Sequence, residues 1–127
     1  MHYSDKYNFY CFLGGRIETG ETHLDALIRE VKEEAGLIVK PQSVKEFGTV
    51  TEIRKDLFKE GIYEKHEYFY TCDVEDTVVD QHMTQSEIEW GFRLVYISLD
   101  EAIRGNESSQ QDIIEAQTHV LRLLLHI

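Results

Sequence analysis

The stretch from Gly15 to Leu37 constrains this chain more than any other. It reads Gly15, five residues, Glu21, seven residues, then Arg29-Glu30-Val31-Lys32-Glu33-Glu34-Ala35-Gly36-Leu37. Most of it predicts a helix over Thr22 to Ala35. Thr22 is an N-cap type, Asp25 three residues on approximates a capping box, and Gly36 suits the left-handed residue that stops a helix. On a wheel advancing about 100° per residue, with Glu30 at zero, Glu33 falls at about −60° and Glu34 at about +40°. The three carboxylates share one sector. Ala26 falls in it too, small enough to leave room for a ligand. Leu24, Leu27, Ile28, Val31 and Ala35 form a separate stripe at about 60–160°, suited to packing on a sheet. Like charges at these spacings oppose one another by about 0.2–0.5 kcal/mol per pair. A divalent cation turns that repulsion into affinity, because hard ions take oxygen ligands at about 2.0–2.6 Å. Magnesium suits such a set, since it keeps waters and shares phosphate oxygens, and manganese also takes oxygen ligands.

The other elements follow from simpler signals. Tyr7 to Leu13 is aromatic-rich and reads as a strand running into Gly14-Gly15; only thirteen residues precede that pair, so the strand has no obvious earlier neighbour. Val44 to Ile53 and Glu64 to Val74 read as strands joined by a loop over Lys55 to Gly61, and Phe92 to Ile97 as a further short strand. Ser98 and Glu101 make a capping box for a short helix ending near Gly105-Asn106. A final helix from about Gln110 to His126 carries Ile113, Ile114, Gln117, Val120, Leu121 and Leu124 on one mainly apolar stripe. Strands interleaved with one-striped helices predict an α/β class, a sheet between helices, and 127 residues suit one domain.

The pattern from Gly15 to Leu37 matches the Nudix box at every position: Gly, five residues, Glu, seven residues, Arg-Glu, an aliphatic, any residue, Glu-Glu, any residue, Gly, an aliphatic. A chance match is on the order of 10⁻⁸. The chain therefore resembles the Nudix (MutT-like) hydrolases, from about Lys6 to the C-terminal helix. The resemblance implies an α/β/α sandwich with a mixed sheet, and Mg²⁺-dependent hydrolysis of a phosphoanhydride bond in a nucleoside diphosphate linked to another moiety. Nucleoside triphosphates, nucleotide sugars and ADP-ribose are the expected classes. A non-catalytic nucleotide sensor on the same fold is the alternative, against which the intact box argues. By the same resemblance Glu30, Glu33 and Glu34 hold metal, and Gly14 offers its backbone carbonyl. Glu21 and Arg29 pair to fix the loop, while Gly15 and Gly36 serve the turn and the cap. A further acid from a later loop completes the site as ligand or base; Glu87 is preferred over Glu89. Leu13 stands where many members have proline. The family's first strand is expected to be missing, so that a homodimer partner or altered packing covers the gap.

Other residues carry weaker signals. Arg16, beside the glycine turn, is a candidate phosphate contact, and His23 lies near the carboxylate sector. The six histidines show no metal-ligand spacing. Among Tyr63, Tyr68, Phe69, Tyr70 and Trp90, strand-core packing is the default and base stacking the exception. Asn106 sits where some MutT-like relatives read a purine. Cys11 and Cys72 match neither a metal spacing nor a disulfide framework and read as buried thiols in a cytoplasmic protein. With 24 acidic against 13 basic residues the net charge is −11, which disfavours a nucleic-acid polymer but not a small phosphorylated substrate bridged by cations. No segment suits a bilayer span or a secretory signal.

Overall fold

The computed structural model describes residues 1–56, 59–109 and 114–127. The chain opens with a hairpin of β1 (His2–Ser4) and β2 (Phe9–Cys11). Asn8 takes the left-handed conformation at φ 57°, and its N–H closes the turn onto the Ser4 carbonyl at 2.8 Å. Then come α1 (His23–Ala35), β3 (Leu37–Val39), a single 3₁₀ turn, and the long strands β4 (Lys45–Lys55) and β5 (Ile62–Thr71). The remainder is β6 (Val74–Val78), α2 (Gln85–Glu89), β7 (Phe92–Leu94), α3 (Leu99–Ser108) and α4 (Glu115–Leu125). The strands pair as β2-β1-β7, β3-β6 and β4-β5. All four pairings among the described residues are antiparallel, so the parallel neighbours of the expected mixed sheet are not among them.

Two apolar clusters give the fold its layers. On one side Val31 and Ala35 of α1 pack with Leu37 and Val39, joined by Leu13, Leu27, Ile28 and Leu94. On the other, Ala102 and Ile103 of α3 and Leu121 of α4 pack with Met1, Tyr10 and Phe12. The front hairpin thus has a helical layer on each side, an α/β/α arrangement. Fully burying a residue such as Leu121 contributes about 1.5–3 kcal/mol.

The strand before Gly14-Gly15 was expected to lack an earlier neighbour, and here the structure corrects the expectation. His2 pairs with Cys11, Tyr3 with Tyr10 and Ser4 with Phe9, while the other side of β1 pairs with β7. The outward edge of β2 is closed as well. Asn106 accepts the Tyr10 N–H at 2.7 Å and donates to the Tyr10 carbonyl at 2.9 Å, and Gln117 accepts the Phe12 N–H at 2.9 Å. Side chains from α3 and α4 thereby occupy groups that would otherwise template another strand. This removes the reason for a partner subunit over an open edge. It also gives Asn106, buried inside α3 and bonded to Thr118 at 3.1 Å, a structural role in place of purine reading. Asn106→Ala would leave the Tyr10 N–H and carbonyl without these partners and take one donor from the Thr118 hydroxyl, which keeps its own bond to the Ile114 carbonyl at 2.8 Å. It is expected to cost about 2–4 kcal/mol, read from urea denaturation; a loss within a few tenths would refute the latch.

The remaining differences have local causes. α3 continues past Gly105, which does not stop the helix: a Cβ there would overlap the Tyr10 ring, so the glycine lets α3 lie close on β2. Ser98 caps α3 by accepting the Glu101 N–H at 3.2 Å. Glu64–Val74 was expected as one strand, but β5 ends at Thr71 and β6 starts at Val74 to pair with β3. Phe92–Ile97 contracts to three residues. Leu57 and Phe58 of the expected loop, and Gln110 to Ile113 of the expected last helix, lie outside the described residues. No helix among the described residues is long and apolar enough to cross a membrane.

Candidate active site

The site is built on α1 and the loop that precedes it. Thr22 accepts the Asp25 N–H at 3.1 Å while Asp25 accepts the Thr22 N–H at 3.2 Å, so the helix starts with a reciprocal capping box. Gly36 ends it at φ 68°, where a Cβ would run into the Val79 carbonyl. Of the carbonyls left free in the last turn, Glu33 receives the His82 N–H at 2.6 Å and Glu34 receives Gln81 Nε2 at 3.0 Å and His2 Nε2 at 2.9 Å.

Arg29 ties the loop to this helix. It donates to both oxygens of Glu21, from Nε at 2.7 Å and Nη2 at 2.9 Å, and Nη2 also reaches the Arg16 carbonyl at 3.1 Å. The fork geometry makes this a strong charge-assisted pair. Its effect shows on both partners: hydrogen bonding to Arg29 holds the Glu21 carboxyl below its usual range, and Glu21 raises the guanidinium further. Nη1 turns the other way, to Glu30 at 2.9 Å and Glu33 at 3.3 Å. Gly15 lies so close that a Cβ there would overlap the Glu30 carboxylate.

Glu34 departs from the wheel picture, in which it faces an open ligand sector. It is 4% exposed, and its carboxylate accepts the Gly14 N–H at 3.2 Å. Burial pushes its pKa up to about 9, helped by the Glu30 and Glu87 charges and opposed by the Gly14 hydrogen bond. Ala26, in the same sector, is also buried. Glu33 lies outward, its side chain 41% exposed. Glu87 sits at the third position of α2, where it accepts the Thr84 N–H at 2.8 Å. Ligand atoms of Glu87, Glu34 and His2 lie within 4.8 Å of one another. Glu89 instead takes a long contact from Gln85 at 3.4 Å.

His2 is the residue that sequence reasoning missed. It is 2% exposed, stacked on Phe92, and burial lowers its pKa. The signal was the front hairpin itself: a turn over Asp5 to Asn8 places His2 opposite Cys11, three residues before Gly14. The other weak candidates resolve into packing. His23 bonds the Tyr70 hydroxyl at 2.7 Å and packs on Tyr68; Trp90 packs against Tyr7, Phe9 and Phe92; Phe69 meets Phe12. Arg16 is exposed. Both cysteines are free, and burial raises the Cys11 thiol to about 12, too protonated for a nucleophile.

A family model described as the NUDIX domain matches residues 2–117. The chain belongs to the Nudix family. No curated protein and no solved structure matches it. Nudix hydrolases act on nucleoside diphosphate derivatives and generally use Mg²⁺ or Mn²⁺. The donor set of this Nudix domain fits such an ion. Glu30, Glu34 and Glu87 bring carboxyl oxygens together beside a glycine turn, and burial first, with the neighbouring Glu30 and Glu87 charges adding to it, raises the Glu34 pKa where no cation offsets them.

Proposed function

We propose that residues 1–127 form one catalytic domain that hydrolyses a phosphoanhydride bond in a nucleoside diphosphate joined to another moiety, with Mg²⁺ or Mn²⁺. Nucleoside triphosphates, nucleotide sugars and ADP-ribose are the substrate classes. The observation that carries the reading is the convergence of Glu34 and Glu87 from two separate helices, with Glu30 against Glu34 and Arg29 holding Glu30 and Glu33. Glu30, Glu33, Glu34 and Glu87, with the Gly14 backbone, would hold the cations. Bound there, the metal neutralises the diphosphate and lowers the pKa of a water.

The chain's own residues do the rest. Carboxylates of the Glu34–Glu87 cluster take up the proton of the attacking water. Arg29 keeps the glutamates in register, and exposed Arg16 meets the phosphate of the departing group. A net charge of −11 supports a small substrate over a polymer, because only local cations offset the repulsion.

The test incubates purified protein with a panel of the three classes and Mg²⁺, reading products by mass. Turnover of at least one class is expected, lowered about 10²-fold in Glu87→Gln and abolished by chelation. No turnover of any compound, with ligand binding retained and unaffected by Glu33→Gln, would favour a sensor instead.

A further inference from the structure

The buried imidazole of His2 has no place in the Nudix box, and its hydrogen bonding is informative. Its Nε2 lies 2.9 Å from the Glu34 backbone carbonyl, which has no proton to give, so Nε2 carries the N–H. In the neutral ring the lone pair is then on Nδ1. Nδ1 lies 3.8 Å from Glu34 Oε2, too far for a hydrogen bond. Glu87 supplies the third ligand atom of the group, all within 4.8 Å of one another. Two donors bound about 2.0–2.2 Å from one ion stand roughly 3–4.3 Å apart across the angles of four- to six-coordinate sites. The His2–Glu34 separation falls inside that span.

We propose that His2 Nδ1 is a nitrogen ligand which, with Glu34 and Glu87, makes one cation position of this site selective for a borderline transition ion such as Zn²⁺ or Co²⁺ over Mg²⁺. The inference rests on the cation-binding reading above and adds the identity of the ion. Three features besides distance support it. A ligating histidine characteristically donates its other ring N–H to a carbonyl or carboxylate, which fixes the tautomer, and Glu34 provides that acceptor from the same residue that supplies the carboxylate. Stacking on Phe92, at 5.3 Å between ring centroids, holds the plane of the ring. The ligands come from three elements, β1, α1 and α2, so the position is closed around rather than spread along one helix face. Imidazole suits zinc and its neighbours, whereas magnesium prefers oxygen and keeps its waters. A single nitrogen thus separates the two ion types.

The test has two arms. Calorimetry titrates wild type and His2→Gln with Zn²⁺ and, separately, Mg²⁺; glutamine keeps an N–H donor near the place of Nε2 and removes Nδ1. Zinc affinity is expected to fall about tenfold or more in the variant, with magnesium affinity changed less than about threefold. Long-range ¹H–¹⁵N spectra of the wild-type histidine rings, with and without Zn²⁺, read the ligand directly even where the variant folds poorly. The His2 Nδ1 resonance is expected to move while Nε2 stays protonated. If zinc binds and the His2 resonances do not move, or if both metals weaken equally in a folded variant, the inference is overturned and the cation-binding reading stands. If wild type takes up no cation at all, both fall.

Discussion

Glu34→Gln is expected to lower turnover of the best substrate by about 10²–10³-fold, while the melting temperature of the metal-free protein holds or rises. The rate falls because a neutral amide replaces a charged ligand oxygen in the middle of the cluster. Stability survives because metal-free Glu34 is already neutral over most of the working range. Burial and the neighbouring carboxylates raise its pKa to about 9, and an amide oxygen can still accept the Gly14 N–H. A large drop in melting temperature without metal would sink this account.

The same residue sets a pH dependence of stability. The ordinary carboxyl value is 4.5 and the folded value about 9, so between them the folded chain holds a proton that the unfolded chain has lost. Stability then falls as pH rises. The contribution is whole below the unfolded value, declines above it and is gone once pH passes the folded value. Thermal melts in chelator from pH 6 to pH 9 should show a steeper decline for wild type than for Glu34→Gln. An equal slope in both proteins would show that Glu34 is not the group responsible. A cation arriving near neutral pH must displace that proton, so its binding enthalpy should vary with the ionisation heat of the buffer.

The second large effect is expected at Arg29. Arg29→Ala removes the fork on Glu21 and, among the described residues, the one cation that pairs with both Glu30 and Glu33. The loop over residues 15–21 then loses its anchor, and the site's negative charges lose their fixed counter-charge. Turnover should drop about 10²-fold through misplacement of the ligands, with a lower melting temperature and faster amide exchange over Ile17 to Glu21. Arg29→Lys should recover part of the stability and little of the rate, since an ammonium restores charge but not the two-pronged geometry. Full recovery of rate by lysine would show that charge alone matters.

Much of the site was legible because it is local. Glu21, Arg29 and the three glutamates lie within one loop and one helix, where a fixed rise and turn per residue convert spacing into position. Thr22, Asp25 and Gly36 declared the ends of that helix by short-range chemistry. Glu87 was reached through family resemblance rather than spacing, and it needed α2 and its Thr84 cap to bring it beside Glu34. Gly105 and Asn106 misled because glycine and asparagine carry the same letters in a turn as in a close helix–strand contact. Which role applies depends on Tyr10, 96 residues from Asn106 in the chain.

From residue order alone came the helix, its caps, the box and the sign of the charge that gathers there, all consequences of backbone geometry over a few turns. Only the folded chain decided which of the three glutamates is buried, that β1 closes the front sheet, and that His2 stands beside Glu34. Those outcomes depend on strand pairing and layer packing between distant segments, and long-range contacts of that kind leave no fixed spacing for a local pattern to record.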